Sequence, residues 1–201
     1  FQTAAFAHES AEDLENVFGG KQFGYLYSRI SNPTVDALEK RLTALDKGFG
    51  AVGVSSGMAS ISTTIFSLAI AGDHIVVSTS IFGGTYYLIK GIVEDHNISV
   101  TYVDPTDTDA IKKAIKSNTR LVFVETIGNP KLDIPDISAI HQLTQQANIP
   151  LVVDSTITTP YLFDPKKHGG DVILYATTKY LSGSGTTVGG MIVDMGTLPW
   201  N

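Results

Sequence analysis

The sequence predicts an α/β layered domain, a mostly parallel sheet with helices on both faces. Three observations predict it. Short apolar runs recur at 51–54, 75–78, 98–103, 121–124, 150–153, 171–175 and 188–193. Helical patterns fall between most of them, at about 57–70, 83–95, 107–116 and 135–147. The runs are rich in β-branched residues and lack polar alternation, as strands buried on both faces do.

The elements follow in order. Residues 1 to about 30 are rich in glycine and aromatics and read as irregular. Asn32-Pro33 reads as an N-cap followed by proline at the first helical position. Val35, Leu38, Leu42 and Leu45 follow at helical spacing, and Gly48 is expected to end that helix. Strands and helices then alternate. Ser55-Ser56-Gly57-Met58-Ala59-Ser60 joins the first strand to a helix. Glu125-Thr126-Ile127-Gly128-Asn129-Pro130 closes a later strand. Pro150-Leu151-Val152-Val153 ends in Asp154, and the strand from Asp171 to Tyr175 leads through Ala176-Thr177-Thr178 to Lys179. In such sheets ligands bind outside the carboxyl ends of the strands. No internal repeat, low-complexity tract or linker stands out.

Bulk properties narrow the function. The 201 residues are 43% hydrophobic and 17% charged, enough for one sizeable core. A net charge of −6 argues against a nucleic-acid or anionic-membrane surface. Cysteine is absent, which excludes disulfides and a thiol nucleophile. No apolar run approaches the roughly 18 residues of a membrane span. The opening Phe1-Gln2-Thr3-Ala4-Ala5-Phe6 lacks the basic start of a signal peptide, and a cytoplasmic location is expected. The chain has no initiator Met and stops at Pro199-Trp200-Asn201 after a strand-like run, so a fragment is expected.

Two motifs mislead. Gly48-Phe49-Gly50-Ala51-Val52-Gly53 matches a dinucleotide-binding pattern but precedes its strand, the wrong order for that fold. Asn97-Ile98-Ser99 matches a glycosylation acceptor, which has no meaning without secretion. His8, His74, His96, His141 and His168 are scattered, so no metal site is expected, and His141 reads as structural.

Two strand ends bring chemistry to one edge. Lys179 follows a buried strand among small hydroxyl residues, and Asp154 ends another. A lysine in a partly desolvated site acts as nucleophile and base. Alternatively it is a solvated loop lysine, and the aspartate a turn residue. An amine and an acid at one sheet edge suit pyridoxal phosphate. That cofactor needs a lysine for its Schiff base and a carboxylate to keep its ring nitrogen protonated. Gly57 lets the backbone approach a ligand, and the helix start at Ser56-Gly57-Met58 is either an anion site or a plain serine-capped turn. Arg29 either forks a phosphate or lies on the surface. Asn129, held extended before proline, either offers its amide to a phenolic oxygen or shapes the turn.

Taken together these segments resemble the Cys/Met metabolism family of pyridoxal-phosphate enzymes over essentially the whole chain. The resemblance implies the PLP-binding large domain of a fold-type I, aspartate aminotransferase-like enzyme. Residues 1–32 would form an arm reaching a neighbouring subunit. Residues 33–201 would form the large domain, incomplete at its C-terminal end and without the small C-terminal domain. Tyr27-Ser28-Arg29 resembles the segment that reaches the neighbour's cofactor phosphate, with Tyr27 also catalytic. Ser56, Gly57 and Met58 resemble the phosphate loop, and Phe82 the residue stacked on the ring. Asn129 matches the residue near O3′, Asp154 the pyridinium partner, Thr178 a phosphate-binding threonine and Lys179 the Schiff-base lysine. A tetramer built from dimers with shared active sites is implied.

Within the family, Glu125 to Leu132, Gly83-Gly84-Thr85-Tyr86 and the closing Gly189 to Asp194, ending in Trp200, look most like O-acetylhomoserine sulfhydrylases. That implies γ-substitution on O-acetylhomoserine by sulfide or a thiol, giving homocysteine or methionine. A C–S lyase or cystathionine γ-synthase of the family is the alternative, as is a PLP-binding protein of weak activity. Four positions depart from the family pattern. Phe82 replaces tyrosine, Ala176 a phosphate-binding serine, Ser155 an asparagine and Ser184 a histidine. The family's substrate-carboxylate arginine would lie beyond residue 201.

Overall fold

The computed structural model describes residues 1–199. Trp200, part of the resemblance, lies outside them. The N-terminal segment is more ordered than its composition predicts. Ala11–Phe18 forms a helix, α1, because Ser10 Oγ accepts the Asp13 amide at 3.0 Å and donates to Asp13 Oδ2 at 2.8 Å. Ala5 and Tyr27 then pair as an antiparallel bridge. The Tyr25 hydroxyl donates to Asp36 Oδ2 at 2.7 Å and ties the segment to the next helix.

That helix, α2 (Pro33–Asp46), starts as expected. Asn32 Oδ1 accepts the Thr34 amide at 2.9 Å, with proline at the first turn. Its end differs: Lys47, not Gly48, takes the left-handed conformation, at φ 56°. Gly48 serves a different need, since a Cβ there would fall 2.8 Å from the Asp194 carbonyl.

The remaining elements alternate as the apolar runs predict. They are β1 (Gly50–Val54), α3 (Gly57–Leu68), β2 (His74–Ser78), α4 (Gly83–Leu88), β3 (Ser99–Val103), α5 (Thr108–Ala114), β4 (Thr119–Glu125) and α6 (Ile137–Gln146). Then come β5 (Leu151–Asp154), α7 (Thr159–Leu162), α8 (Pro165–His168), β6 (Val172–Tyr175) and β7 (Gly190–Asp194). A wide turn, Ile89–Val93, and a tight one, Glu94–His96, extend α4. The misleading glycine pattern at 48–53 runs into β1 and does not follow a strand.

The seven-stranded sheet has the order β1-β7-β6-β5-β4-β2-β3. The pairs β2–β3, β2–β4, β4–β5 and β5–β6 are parallel, and β7 runs antiparallel to both β1 and β6. The chain therefore enters β1 and β6 in the same sense, and the carboxyl ends of β1, β2, β4, β5 and β6 share one edge.

Strand periodicity sorts the core into two layers. Val76, Val122, Val124, Leu151, Val153 and Ile173 face Leu42, Ile111, Ile137 and Ile140 of α2, α5 and α6. Ile75, Val77, Leu121, Phe123, Val152 and Leu174 face Ile61, Ile65, Ile89 and Val93 of α3 and the α4 segment. Each such side chain contributes roughly 1.5–3 kcal/mol when removed from water. The same alternation carries Glu125 and Asp154 to the α3–α4 face and Tyr175 to the other. Among the described residues no helix is long and apolar enough to cross a membrane.

Candidate active site

Outside the shared carboxyl edge lies a cavity of about 920 Å³. Ser56, Gly57 and Met58 line it from the start of α3, Phe82 and Thr85 from the start of α4, and Glu125 and Asn129 from the end of β4. Asp154 and Thr156 reach it from β5, and Ala176, Thr178 and Lys179 from β6. The structure thus brings Lys179, Asp154, Phe82, Asn129, Thr178 and the 56–58 segment together. Tyr27 and Arg29 do not line this cavity. They sit exposed on the N-terminal segment, the Arg29 guanidinium 5.3 Å from the Tyr27 ring centre.

Asp154 stands at the base. Its Oδ1 accepts the Thr156 amide at 2.9 Å, and the Thr156 hydroxyl accepts the Ala176 amide at 2.8 Å, locking β5 to β6 just before Lys179. Burial raises the Asp154 carboxyl above its ordinary value, against the pull of Thr156. Glu125 is its register partner across the β4–β5 pair. Burial first, and the charge of Asp154 second, push Glu125 up to about 8. Glu125 Oε1 accepts the Phe82 amide at 2.7 Å, and Oε2 the Asn129 amide at 3.2 Å. Among the described residues neither carboxylate forms an ion pair.

At the other end, Ser56 caps α3 by accepting the Ala59 amide at 3.0 Å. Gly57 and Met58, in the first turn, have no carbonyl one turn back for their amides. Gly57 is small for a reason other than ligand approach: a Cβ there would lie 2.5 Å from the Ala176 Cβ. The Thr178 hydroxyl accepts the Gly189 amide at 3.0 Å and donates to the Gly189 carbonyl at 3.2 Å. Ser182 fixes the turn after Lys179 by donating to the Lys179 carbonyl at 3.0 Å. Lys179 itself is exposed, contrary to the expected desolvation, and small Gly183, Ser184 and Gly185 share the cavity lining with it. The Asn129–Pro130 peptide is cis.

Of the positions that depart from the family pattern, Phe82, Ala176 and Ser184 line the cavity. Ser155 does not. It is wholly buried, its hydroxyl 2.7 Å from that of Thr158. Sequence reasoning missed Glu125 and Thr156 as site residues. Glu125 had a usable signal, since β4 and β5 are neighbouring apolar runs that each end in an acid.

The cavity suits pyridoxal phosphate. Asp154, a half-buried acid with no ion pair among the described residues, could hold a protonated ring nitrogen. Asn129 could meet the phenolic oxygen, and the Phe82 ring could cover one face of the cofactor. A serine-capped helix start and Thr178 could hold the phosphate, with an amine on the rim.

Comparison with known proteins gives matches across the chain. The family model described as "Cys/Met metabolism PLP-dependent enzyme" matches residues 1–200. The O-acetyl-L-homoserine sulfhydrylase of Leptospira meyeri is 39% identical over 200 residues, which is 100% of this chain and 45% of that protein. An L-methionine gamma-lyase of Fusobacterium nucleatum subsp. polymorphum is 39% identical over 194 residues, 96% of this chain and 49% of the lyase. A crystal structure from Campylobacter jejuni, described as an O-acetylhomoserine (thiol)-lyase with N′-pyridoxyl-lysine-5′-monophosphate, superposes with a TM-score of 0.90 at 36% identity. It covers 98% of this chain and 48% of that one. The chain spans about half the length of the curated relatives it matches.

Proposed function

The chain belongs to the Cys/Met metabolism family of PLP-dependent enzymes, and from that premise we propose that it carries the cofactor-binding part of an O-acetylhomoserine sulfhydrylase. The reaction would replace the γ-acetoxy group by sulfide or a thiol. One observation carries this reading: Lys179 and Asp154, from separate strand ends, line one cavity with Phe82 and Asn129.

Bound pyridoxal phosphate supplies an electron sink for charge at the substrate's α carbon. The chain's own residues would do the rest. Lys179 would hold the cofactor through its amine and move protons at the substrate's α and β carbons. Asp154 would keep a proton on the ring nitrogen. Phe82 would cover the ring but has no proton to give. Ser56, Gly57, Met58 and Thr178 would hold the phosphate. Tyr27 and Arg29 would serve the cavity of a second copy, which makes a homo-oligomer part of the proposal. Acetate leaves the γ carbon, and sulfide or a thiol adds there.

Incubating the protein with pyridoxal phosphate, O-acetylhomoserine and sulfide tests the proposal. Homocysteine is expected, and no turnover despite bound cofactor would sink it. The equal identity to a methionine γ-lyase favours elimination as a second reading. Ammonia and a 2-oxo acid released from L-methionine without added thiol would single it out.

A further inference from the structure

Glu125 is 7% exposed and ends β4. Its two oxygens serve two separate segments. Oε1 accepts the amide of Phe82, 43 residues away in the chain, at 2.7 Å, and Oε2 accepts that of Asn129 at 3.2 Å. The same two segments also touch directly, since a Cβ on Gly128 would fall 2.1 Å from the Ser80 hydroxyl oxygen. Phe82 opens α4 without a side-chain cap of its own. Each of the two Glu125 oxygens is thereby committed to a different segment of the chain.

We propose that Glu125 is the positioning residue of the cofactor cradle, a clamp that fixes Phe82 and Asn129 relative to each other and so sets the face and the phenolic edge of the bound ring. The inference rests on the proposed reading of the cavity as a pyridoxal-phosphate site. Glu125 acts through the two residues it holds, without itself taking part in the reaction. Its neighbour Asp154 lies beside it on β5 and takes the other task, at the ring nitrogen.

Glu125→Gln is the test. Glutamine keeps the size and one carbonyl acceptor but turns an amide N–H₂ toward a backbone N–H, so one arm of the clamp breaks. In the cofactor-free protein, amide hydrogen exchange at Phe82 or Asn129 should speed up roughly tenfold, while the denaturant midpoint stays close to that of the wild type. Pyridoxal phosphate should then bind roughly tenfold more weakly, as when a supporting residue behind a ligand is lost. The visible circular dichroism of the bound cofactor should fall. In the Phe82→Ala background the same change should cost less, because only the Asn129 arm still has a side chain to position.

Unchanged exchange overturns the inference. So does faster exchange with wild-type cofactor affinity and dichroism, and so do effects that multiply fully in the double variant. Glu125→Asp, which keeps the carboxyl group but falls short of one amide, provides a second variant with an intermediate effect expected. Failure of both variants to fold cooperatively would make Glu125 a fold-wide support and overturn the positioning role. A wild-type protein that takes up no pyridoxal phosphate fails the proposed function itself, an outcome distinct from a variant that matches the wild type.

Discussion

The Tyr175 hydroxyl stands 2.9 and 2.8 Å from the two carboxylate oxygens of Asp46, and neither residue has more than a trace of exposure. Tyr175 ends β6 on the face opposite the cavity, one residue before Ala176, and Asp46 ends α2. The bond pins that helix to the strand that leads to Lys179. Tyr175→Phe leaves a buried carboxylate without its donor. It is expected to lower stability at neutral pH by roughly 2–4 kcal/mol, measured by denaturant unfolding.

The same pair predicts a pH dependence. Burial pushes the Asp46 carboxyl from 3.8 up to about 6, with Tyr175 pulling it down and Asp164 adding to the rise. The folded state therefore holds this proton more tightly than the unfolded chain does. The stabilisation is complete below pH 3.8 and is lost as pH rises through 6. Asp46→Asn removes the titration. Between these limits the wild type should lose roughly 3 kcal/mol relative to the variant, read from unfolding curves at each pH. A constant difference between the two would refute it.

How much of this was legible in the sequence follows from distance along the chain. The sheet was, because buried strands announce themselves as β-branched runs. Lys179 and Asp154 were, because Asp154 ends such a run and Lys179 follows one after three residues. α1 was not: it is only eight residues long and starts at a local Ser10–Asp13 cap inside a glycine- and aromatic-rich segment, and α7 and α8 are single turns. The exchange of roles between Lys47 and Gly48 depends on Asp194, far along the chain. Glu125 could be seen as an acid at a strand end, but its hold on Phe82 could not. The exposure of Lys179 depends on what covers it, which local spacing does not encode.

Gly57 and Ala176 meet where α3 starts and β6 ends. Since a Cβ on residue 57 would sit 2.5 Å from that of Ala176, Gly57→Ala must push the helix start away from the strand. The expected cost is about 1–3 kcal/mol, with cofactor phosphate binding weakened by the same displacement. Adding Ala176→Gly should recover much of both, since it removes the clashing methyl. Thermal melts and a pyridoxal-phosphate titration of the single and double variants check this, and equal damage in both would exclude the steric cause.

Lys179→Ala tests the covalent anchor. The side chain is exposed on the cavity rim and forms no ion pair among the described residues, so its loss should leave the folding midpoint within about 0.5 kcal/mol. The cofactor should still enter the cavity through its phosphate and ring contacts. After borohydride treatment the wild type should carry the pyridoxyl mass on the peptide containing Lys179, and the variant should carry none. A label on another lysine would remove Lys179 from its proposed role.

Phe82→Tyr separates positioning from proton transfer. Phe82 is 48% exposed, and its backbone amide, not its ring, is held by Glu125. A hydroxyl added at the ring's far end leaves that clamp intact, and stability should change by less than about 0.5 kcal/mol. Stacking area is unchanged, so cofactor affinity should stay near the wild-type value. The added group can donate or accept a proton at the substrate, a contribution of order 10²-fold where proton transfer limits the rate. Turnover of O-acetylhomoserine should therefore rise while pyridoxal-phosphate binding does not. If wild-type turnover is already high and the variant matches it, another group handles that proton and the phenylalanine is no handicap. If affinity shifts instead of rate, residue 82 acts on the ring's placement alone.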